Sequence, residues 1–274
     1  MTRVVTTREE LRQARAELPG PIGLVPTMGA LHAGHVANIQ ASKAITRSTV
    51  VSLFVNPMQF NQAADLERYP RTFEADLAIC EQAGVELIWH PDVETMYRGG
   101  EAEVRVTAGA LADQLEGPNR PGHFDGVLTV VCKLFTSVQP DHAFFGEKDY
   151  QQLTLIRRMV LDLDLPVEVH GVQTVRDPDG LALSSRNVFL SKGDRDQAVR
   201  LSQALKAAQQ NAATAEQALA AARKELDGID VEYLELRSPQ LTEAGDGASR
   251  ILIAARIGSV RLIDNMPIVL GGTA

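Results

Sequence analysis

The sequence predicts an α/β protein, a parallel sheet covered by helices on both faces and followed by a smaller α+β domain. Two observations carry this expectation. Through the first two thirds of the chain, short apolar runs alternate with segments of helical period, the pattern of βαβ units. After about Val175 the alternation stops, and a turn-rich loop leads into an alanine-rich helical stretch and closely spaced strands.

Taken in order, strands are expected at Ile22–Val25, Val50–Val55, Val85–Trp89, Ala143–Phe145 and Val167–Val172. Helices are expected between them at Leu31–Arg47, Thr72–Ala83, Gly126–Val138 and Tyr150–Leu161. These elements make residues 1–175 a Rossmann-like domain, whose ligands belong at the carboxyl ends of the strands near a topological switch point. Next comes "RDPDGLALSSRN", with Asp177-Pro178 and Asp179-Gly180 as turn signals. One amphipathic helix from Gly193 to Asp227 follows, then strands Val231–Leu236, Ile251–Ile257 and Val260–Ile263, with Gly258-Ser259 as a hairpin turn. Residues 176–274 are thus expected to form the smaller domain, a lid by position.

Composition narrows the classes of function. The 274 residues are 45% hydrophobic and 23% charged, as in a globular protein, and no apolar run approaches the roughly 20 residues of a membrane span. The opening "MTRVVTTREELRQARAEL" has no apolar centre and does not read as a secretory signal. Cys80 and Cys132 stand apart with no disulfide or CxxC pattern, which fits a cytoplasmic protein. With 27 basic and 35 acidic residues the formal charge is −8, a poor surface for nucleic acid. An anionic ligand would need a few local cations, which points to a small-molecule site.

One stretch, "PTMGALHAGH" from Pro26 to His35, follows the first strand and opens a helix near Leu31. Gly29 and Gly34 would let backbone approach a ligand, and a helix N-terminus presents N–H groups and a positive dipole end to phosphate. His32 and His35, three apart, share one face of the first turn and can donate to phosphate oxygens. The loop lacks the GK[ST] of a Walker A motif. A metal pair would want a third ligand. Spacing alone leaves phosphate binding, metal binding and two ordinary histidines open.

Three further blocks stand at strand ends or in the interdomain loop. "FVNPMQF" places Asn56 and Gln59 after a strand, as ligand-binding amides or as a polar turn. In "FFGEKDYQQL", Asp149 and Gln152 can be a helix-capping pair, but Lys148 faces a positive dipole end unless an anion is bound there. "LALSSRN" offers Ser184, Ser185 and Arg186, either a cap beside a surface arginine or a phosphate clamp. Weaker candidates are Arg120 and His123 in "NRPGHFDGV", Tyr69 and Arg71 in "YPRT", and Asp76, which reads as a solvated helix position before it reads as a Mg²⁺ ligand.

"HAGH" resembles the HIGH motif of the nucleotidylyltransferase and class I aminoacyl-tRNA synthetase superfamily. The four blocks, in this order between Leu24 and Leu190, resemble the pantothenate synthetase family specifically. That resemblance implies a homodimeric ligase joining (R)-pantoate to β-alanine with ATP and Mg²⁺ through a pantoyl-adenylate, releasing AMP and pyrophosphate. It implies ATP contacts at Met28, Gly29, His32, His35, Asn56, Gly146, Glu147, Lys148, Asp149, Val175, Leu183, Ser184, Ser185 and Arg186. It makes Gln59 and Gln152 the pantoate ligands, and His32, His35, Lys148, Ser184, Ser185 and Arg186 the catalytic set, with His35 also a proton donor. "LALSSRN" would be the counterpart of the mobile KMSKS loop. Leu183 stands where the family usually has Met, a volume-conserving change, and Ala75 stands where a second acid beside Asp76 would be expected. Mg²⁺ is therefore expected to arrive with ATP. Another nucleotidylyltransferase, or a non-catalytic nucleotide-binding module, are the alternatives.

Overall fold

A computed structural model describes residues 2–100 and 102–271. The chain forms two compact units, one of residues 1–147 and 151–173, the other of residues 148–150 and 174–274.

The first unit is a parallel sheet of six strands: β1 (Arg3–Val5), β2 (Ile22–Thr27), β3 (Ser48–Leu53), β4 (Leu87–Trp89), β5 (His142–Gly146) and β6 (Glu168–Val172). Their order is β1-β4-β3-β2-β5-β6. From β2 the chain first builds outward through β3 and β4, then crosses to β5 and β6, so the switch point lies between β2 and β5. The residues of β3 are all buried, and those of β2 nearly so, because helices cover both faces. The helices are α1 (Arg8–Glu17), α2 (Ala33–Ile45), α3 (Ala63–Arg68), α4 (Phe73–Gln82), α5 (Val93–Met96), α6 (His123–Val138) and α7 (Tyr150–Asp162). Ile39 of α2 and Cys80 of α4 pack on Val25, Val51, Ile88 and Phe144. On the other face Leu153 of α7 lies against Gly171, and α1 packs on α6.

The expected strands and helices of this unit are present with ends shifted by a few residues. The sequence pattern does not reveal β1, α1, α3 and α5. The helix expected from Gly126 begins at His123.

The second unit contains α8 (Lys192–Gln210), α9 (Ala215–Glu225) and an antiparallel sheet β7 (Asp230–Arg237), β8 (Gly247–Ile257) and β9 (Val260–Leu270), in the order β7-β8-β9. Ala198, Leu201, Ala204 and Leu205 of α8, with Ala218 and Ala222 of α9, form a core with Ile251, Ile253 and Ile257 of β8. The single helix expected over Gly193–Asp227 is therefore two. Asn211 ends the first, and Thr214 starts the second by accepting the Gln217 N–H at 3.1 Å. Alanine periodicity continues across the break and hides it. Gly258-Ser259 does make the hairpin turn, pairing Ile257 with Val260, and both strands are longer than expected. Among the described residues no helix is long and apolar enough to cross a membrane.

Candidate active site

Immediately after β2 the chain turns sharply, with Gly29 at φ +80° and Ala30 at φ +52°. Only the glycine adopts such a backbone without cost. Asp76 of α4 holds the turn: its Oδ2 accepts the Ala30 N–H at 3.0 Å, and its Oδ1 the Leu31 N–H at 2.7 Å. The Thr72 hydroxyl donates to Oδ2 at 3.2 Å. Asp76 is therefore buried, which corrects the expectation of a solvated helix position: its partners are 45 and 46 residues away, beyond any local reading. A Cβ on Gly29 would lie 2.9 Å from Asp76 Oδ2.

His32 and His35 open α2 as a reciprocal cap. His32 Nδ1 accepts the Gly34 N–H at 3.1 Å, and His35 Nδ1 accepts the His32 N–H at 3.3 Å. A ring nitrogen that accepts carries no proton, so each neutral imidazole carries its N–H at Nε2. The rings lie 4.2 Å apart between centroids. Gly34 is required here by the His32 ring, whose Cε1 a Cβ would meet at 2.9 Å. Two histidines that cap their own helix are thereby oriented as neutral Nε2–H donors.

The second loop, Pro57–Gln59 after β3, is set by a buried network. Asn56 Oδ1 accepts from Tyr97 Oη at 2.7 Å and from the Met58 N–H at 3.3 Å. Asn56 Nδ2 donates to Gly126 O at 3.1 Å and to Gln59 Oε1 at 3.0 Å. Gln59 thus has its acceptor oxygen turned to Asn56, which makes Nε2 its donor end. His123 Nδ1 pairs with Gln59 O at 2.8 Å. His123, in a Gly/Pro-rich stretch that also reads as a surface loop, is buried as the first residue of α6. Burial pushes the Tyr97 hydroxyl well above the ordinary tyrosine range, so it stays a donor.

Following β5, a tight turn at Glu147–Asp149 runs directly into α7. Burial separates the two adjacent glutamines. Gln151 is buried: its Nε2 donates to Leu111 O and Gln114 O at 2.9 and 2.8 Å, and its Oε1 accepts the Glu116 N–H at 3.0 Å. Gln152 is half-buried.

Within the second unit, the Lys148–Tyr150 segment is fastened to β8 and β9. Asn265 Nδ2 donates to Lys148 O at 2.8 Å, and the Arg250 guanidinium lies 3.7 Å over the Tyr150 ring. Asp264 binds Arg176 through two bonds of 2.6 and 2.9 Å and accepts the Asn265 N–H at 2.7 Å. Lys148 Nζ stands 3.7 Å from Asp149 Oδ1. In the loop, Leu183 N–H donates to Val175 O at 3.0 Å. Ser184 Oγ accepts the Arg186 N–H at 3.2 Å and starts a short turn, Ser185–Phe189, on which Arg186 is exposed. Arg195 ties the preceding turn by reaching Asp177 at 2.7 Å and Asp179 at 2.9 Å.

Two of the weaker candidates, Arg71 and Tyr69, serve local structure. Arg71 donates to the carbonyls of Leu66, Glu67 and Tyr69 at the end of α3, and Tyr69 packs edge-on against Phe60. Sequence reasoning missed Tyr97, Gln151, Arg250 and Asn265. For Asn265 the signal was available, since "DN" sits between the apolar "LI" and "MPIVL" of its strand. It also missed a cavity of about 600 Å³ beside the Gly29 turn, lined by Met28, Phe54, Phe73, Asp76 and His90.

A parallel sheet whose switch-point strand feeds a histidine-capped helix defines a Rossmann-like protein with a HIGH-type loop. The family model for pantoate-beta-alanine ligase matches residues 2–267, and the chain belongs to that family. It is 53% identical over 283 residues to a pantothenate synthetase of Nocardioides sp., covering 97% of this chain and 85% of the relative. A pantothenate synthetase of Salinispora arenicola is 50% identical, with 98% and 99% covered. The crystal structure of a pantothenate synthetase from Thermus thermophilus superposes with a TM-score of 0.90 at 46% identity, over 97% of this chain and 99% of that one. A pantoate-beta-alanine ligase from Francisella tularensis, solved in complex with beta-gamma ATP and beta-alanine, gives 0.83 at 34% identity, over 100% and 99%. The protein is accordingly an ATP-dependent ligase that forms the amide bond between pantoate and β-alanine.

Proposed function

We propose that the amide bond is made through a pantoyl-adenylate, and that the residues described above divide the work as follows. Gln59, through its Nε2 donor, and Gln152 hold pantoate while its carboxylate attacks the α-phosphorus of ATP. His32 and His35 donate hydrogen bonds to phosphate oxygens as neutral Nε2–H groups, and His35 keeps that proton as the pyrophosphate departs, since a neutral imidazole that gave it up would become an anion. Lys148, Ser184, Ser185 and Arg186 balance the charge that develops as that bond breaks. Met28, Gly29, Gly146, Glu147, Asp149, Val175 and Leu183 contact the nucleotide. Asn56 acts through Gln59, since its amide is already bonded to Gln59, Gly126, Met58 and Tyr97. The uncharged amine of β-alanine then attacks the acyl carbon, and AMP leaves with the electron pair of the anhydride bond.

The acid nearest the histidine loop does not fit a metal. Both Asp76 oxygens are bonded to backbone N–H groups, so Mg²⁺ enters as the partner of the ATP phosphates and no step is assigned to a protein-bound ion. We further propose a homodimer working in the cytoplasm, where isolated thiols such as Cys80 and Cys132 stay reduced.

The observation that carries this reading is the reciprocal histidine cap, which sets two neutral donors at the N-terminus of α2. The test is ATP–pyrophosphate exchange with and without pantoate, followed by addition of β-alanine. Exchange that requires pantoate, with pantothenate and AMP appearing on adding β-alanine, is the expected result. Pantoate-independent exchange would refute the adenylate. Lys148→Ala is expected to slow exchange by about 100-fold or more with the fold intact; exchange at the normal rate would remove Lys148 from the catalytic set.

A further inference from the structure

At the amino-terminal end of the sheet, β5 and β6 begin with a cluster that the ligase chemistry does not use. β6 is an edge strand, and its pairing sets Glu168 beside His142 and His170 beside Phe144. Side chains alternate along a strand, so these four residues share one face. His142 Nδ1 lies 3.0 Å from His170 Nε2 and 3.3 Å from Glu168 Oε2, and His170 Nε2 lies 3.7 Å from Glu168 Oε1. The His170 ring is stacked on Phe144, 4.9 Å between centroids at 15°, which gives the cluster an apolar wall and fixes one imidazole. The histidine side chains are 22% and 25% exposed and that of Glu168 is 67% exposed, so the donors are reachable from solvent.

We propose that His142, Glu168 and His170 bind one divalent transition-metal ion of the zinc type. Two imidazoles and one carboxylate suit a borderline cation, whereas calcium and magnesium take oxygen ligands. Ligands about 2.0 to 2.1 Å from a tetrahedral ion stand about 3.3 Å apart. The His142–His170 separation and the nearest Glu168 oxygen to each imidazole bracket that edge, so a small turn of the carboxylate brings one oxygen to both. Among the described residues this is the one group of three or more histidine, cysteine or acidic side chains with ligand atoms this close. The competing state is a hydrogen bond between the two imidazoles, in which one facing nitrogen carries the proton. Metal entry requires that ring to move its proton to its other nitrogen, after which both rings bind neutral. Three protein ligands leave a position for water. The ion would tie the edge strand β6 to β5, far along the strands from the loops that carry the ligase residues.

The test is calorimetric titration of Zn²⁺ into chelator-treated full-length protein at about pH 7.5, where imidazole is mostly neutral, alongside His142→Gln, His170→Gln and Glu168→Gln. One ion per chain is expected for the parent protein, with loss of binding in both histidine variants and a weakening of more than about tenfold in Glu168→Gln. Saturating Zn²⁺ should raise the Tm of the parent and leave the histidine variants unmoved. Circular dichroism checks each fold, and Glu168→Gln, changed at a largely exposed side chain, decides the matter if a histidine variant does not fold. No binding by the parent protein overturns the proposal. So does equal binding in the folded variants, which would place the ion elsewhere, for example at His32 and His35.

Discussion

Asp76→Asn isolates the bond set that shapes the histidine loop. The substitution keeps volume and shape but replaces one carboxylate oxygen with a donor. If the remaining oxygen keeps the Leu31 N–H at 2.7 Å, the new amide faces the Ala30 N–H and the Thr72 hydroxyl. The hydroxyl can turn and accept. The Ala30 N–H cannot, and a buried donor is left facing a donor. Losing one charge-assisted bond costs about 1.5 to 3 kcal/mol, and converting the other to a neutral one adds about 1 kcal/mol. Against this, Ala30 at φ +52° stores about 1 kcal/mol of backbone strain that the freed loop recovers. The net loss is about 1.5 to 3 kcal/mol, or a fall in Tm of about 3 to 12 °C for a unit of this size.

The same change should reach the reaction, because His32 begins its helix one residue beyond Leu31. Pantoate-dependent pyrophosphate exchange is expected to show a lower kcat/KM for ATP, with Thr72→Val as a control that removes only the 3.2 Å bond. An Asp76→Asn protein with Tm within about 1 °C of the parent would refute the energetic reasoning. One with the expected fall in Tm but unchanged ATP kinetics would refute the link from the turn to the histidines.

Three other perturbations are expected to act through single named contacts. Gly126→Ala puts a Cβ against Met58 O and 2.8 Å from Gln59 N, so it should raise the KM for pantoate about tenfold and cost about 1 to 3 kcal/mol in urea unfolding; an unchanged KM would detach Gln59 from pantoate. Asp264→Ala leaves Arg176 without its two-bond partner and should cost about 3 kcal/mol in the second unit, a loss below about 1 kcal/mol counting against the network. The Glu10 carboxyl is held down to about 2 by the Thr7 and Thr6 backbone N–H groups. Because its folded value is depressed, its stabilisation is complete above the ordinary value of 4.5 and is lost as pH falls toward about 2. Glu10→Gln should therefore flatten the fall of the urea midpoint across that window, and an unchanged slope would refute the assignment.

The sheet was legible because parallel strands covered on both faces read as largely apolar runs, as in β2 through β5, while β6 at the edge is marked by Val169 and Val172 alongside Glu168 and His170. β1 was not, since three residues beside a charged helix carry no period. The loops were legible for a chemical reason: glycines, histidines, amides and a lysine gather at the carboxyl ends of β2, β3 and β5, where an α/β sheet binds ligands. What the sequence could not do was divide those polar residues between ligand and scaffold. Asn56 and Gln59 look equivalent in "FVNPMQF", as do Gln151 and Gln152 in "YQQL". Burial separates them, because a buried amide must be satisfied by the protein while its half-buried neighbour keeps a donor for something else. Asp76 and Asn265 extend the same division, each bonding backbone atoms of a loop distant in sequence. The scaffold residues are thus recognisable only by backbone groups they satisfy at long range. For that reason Asp76→Asn is the sharper probe of this site: it removes no proposed ligand, and any kinetic effect must pass through the geometry of the loop.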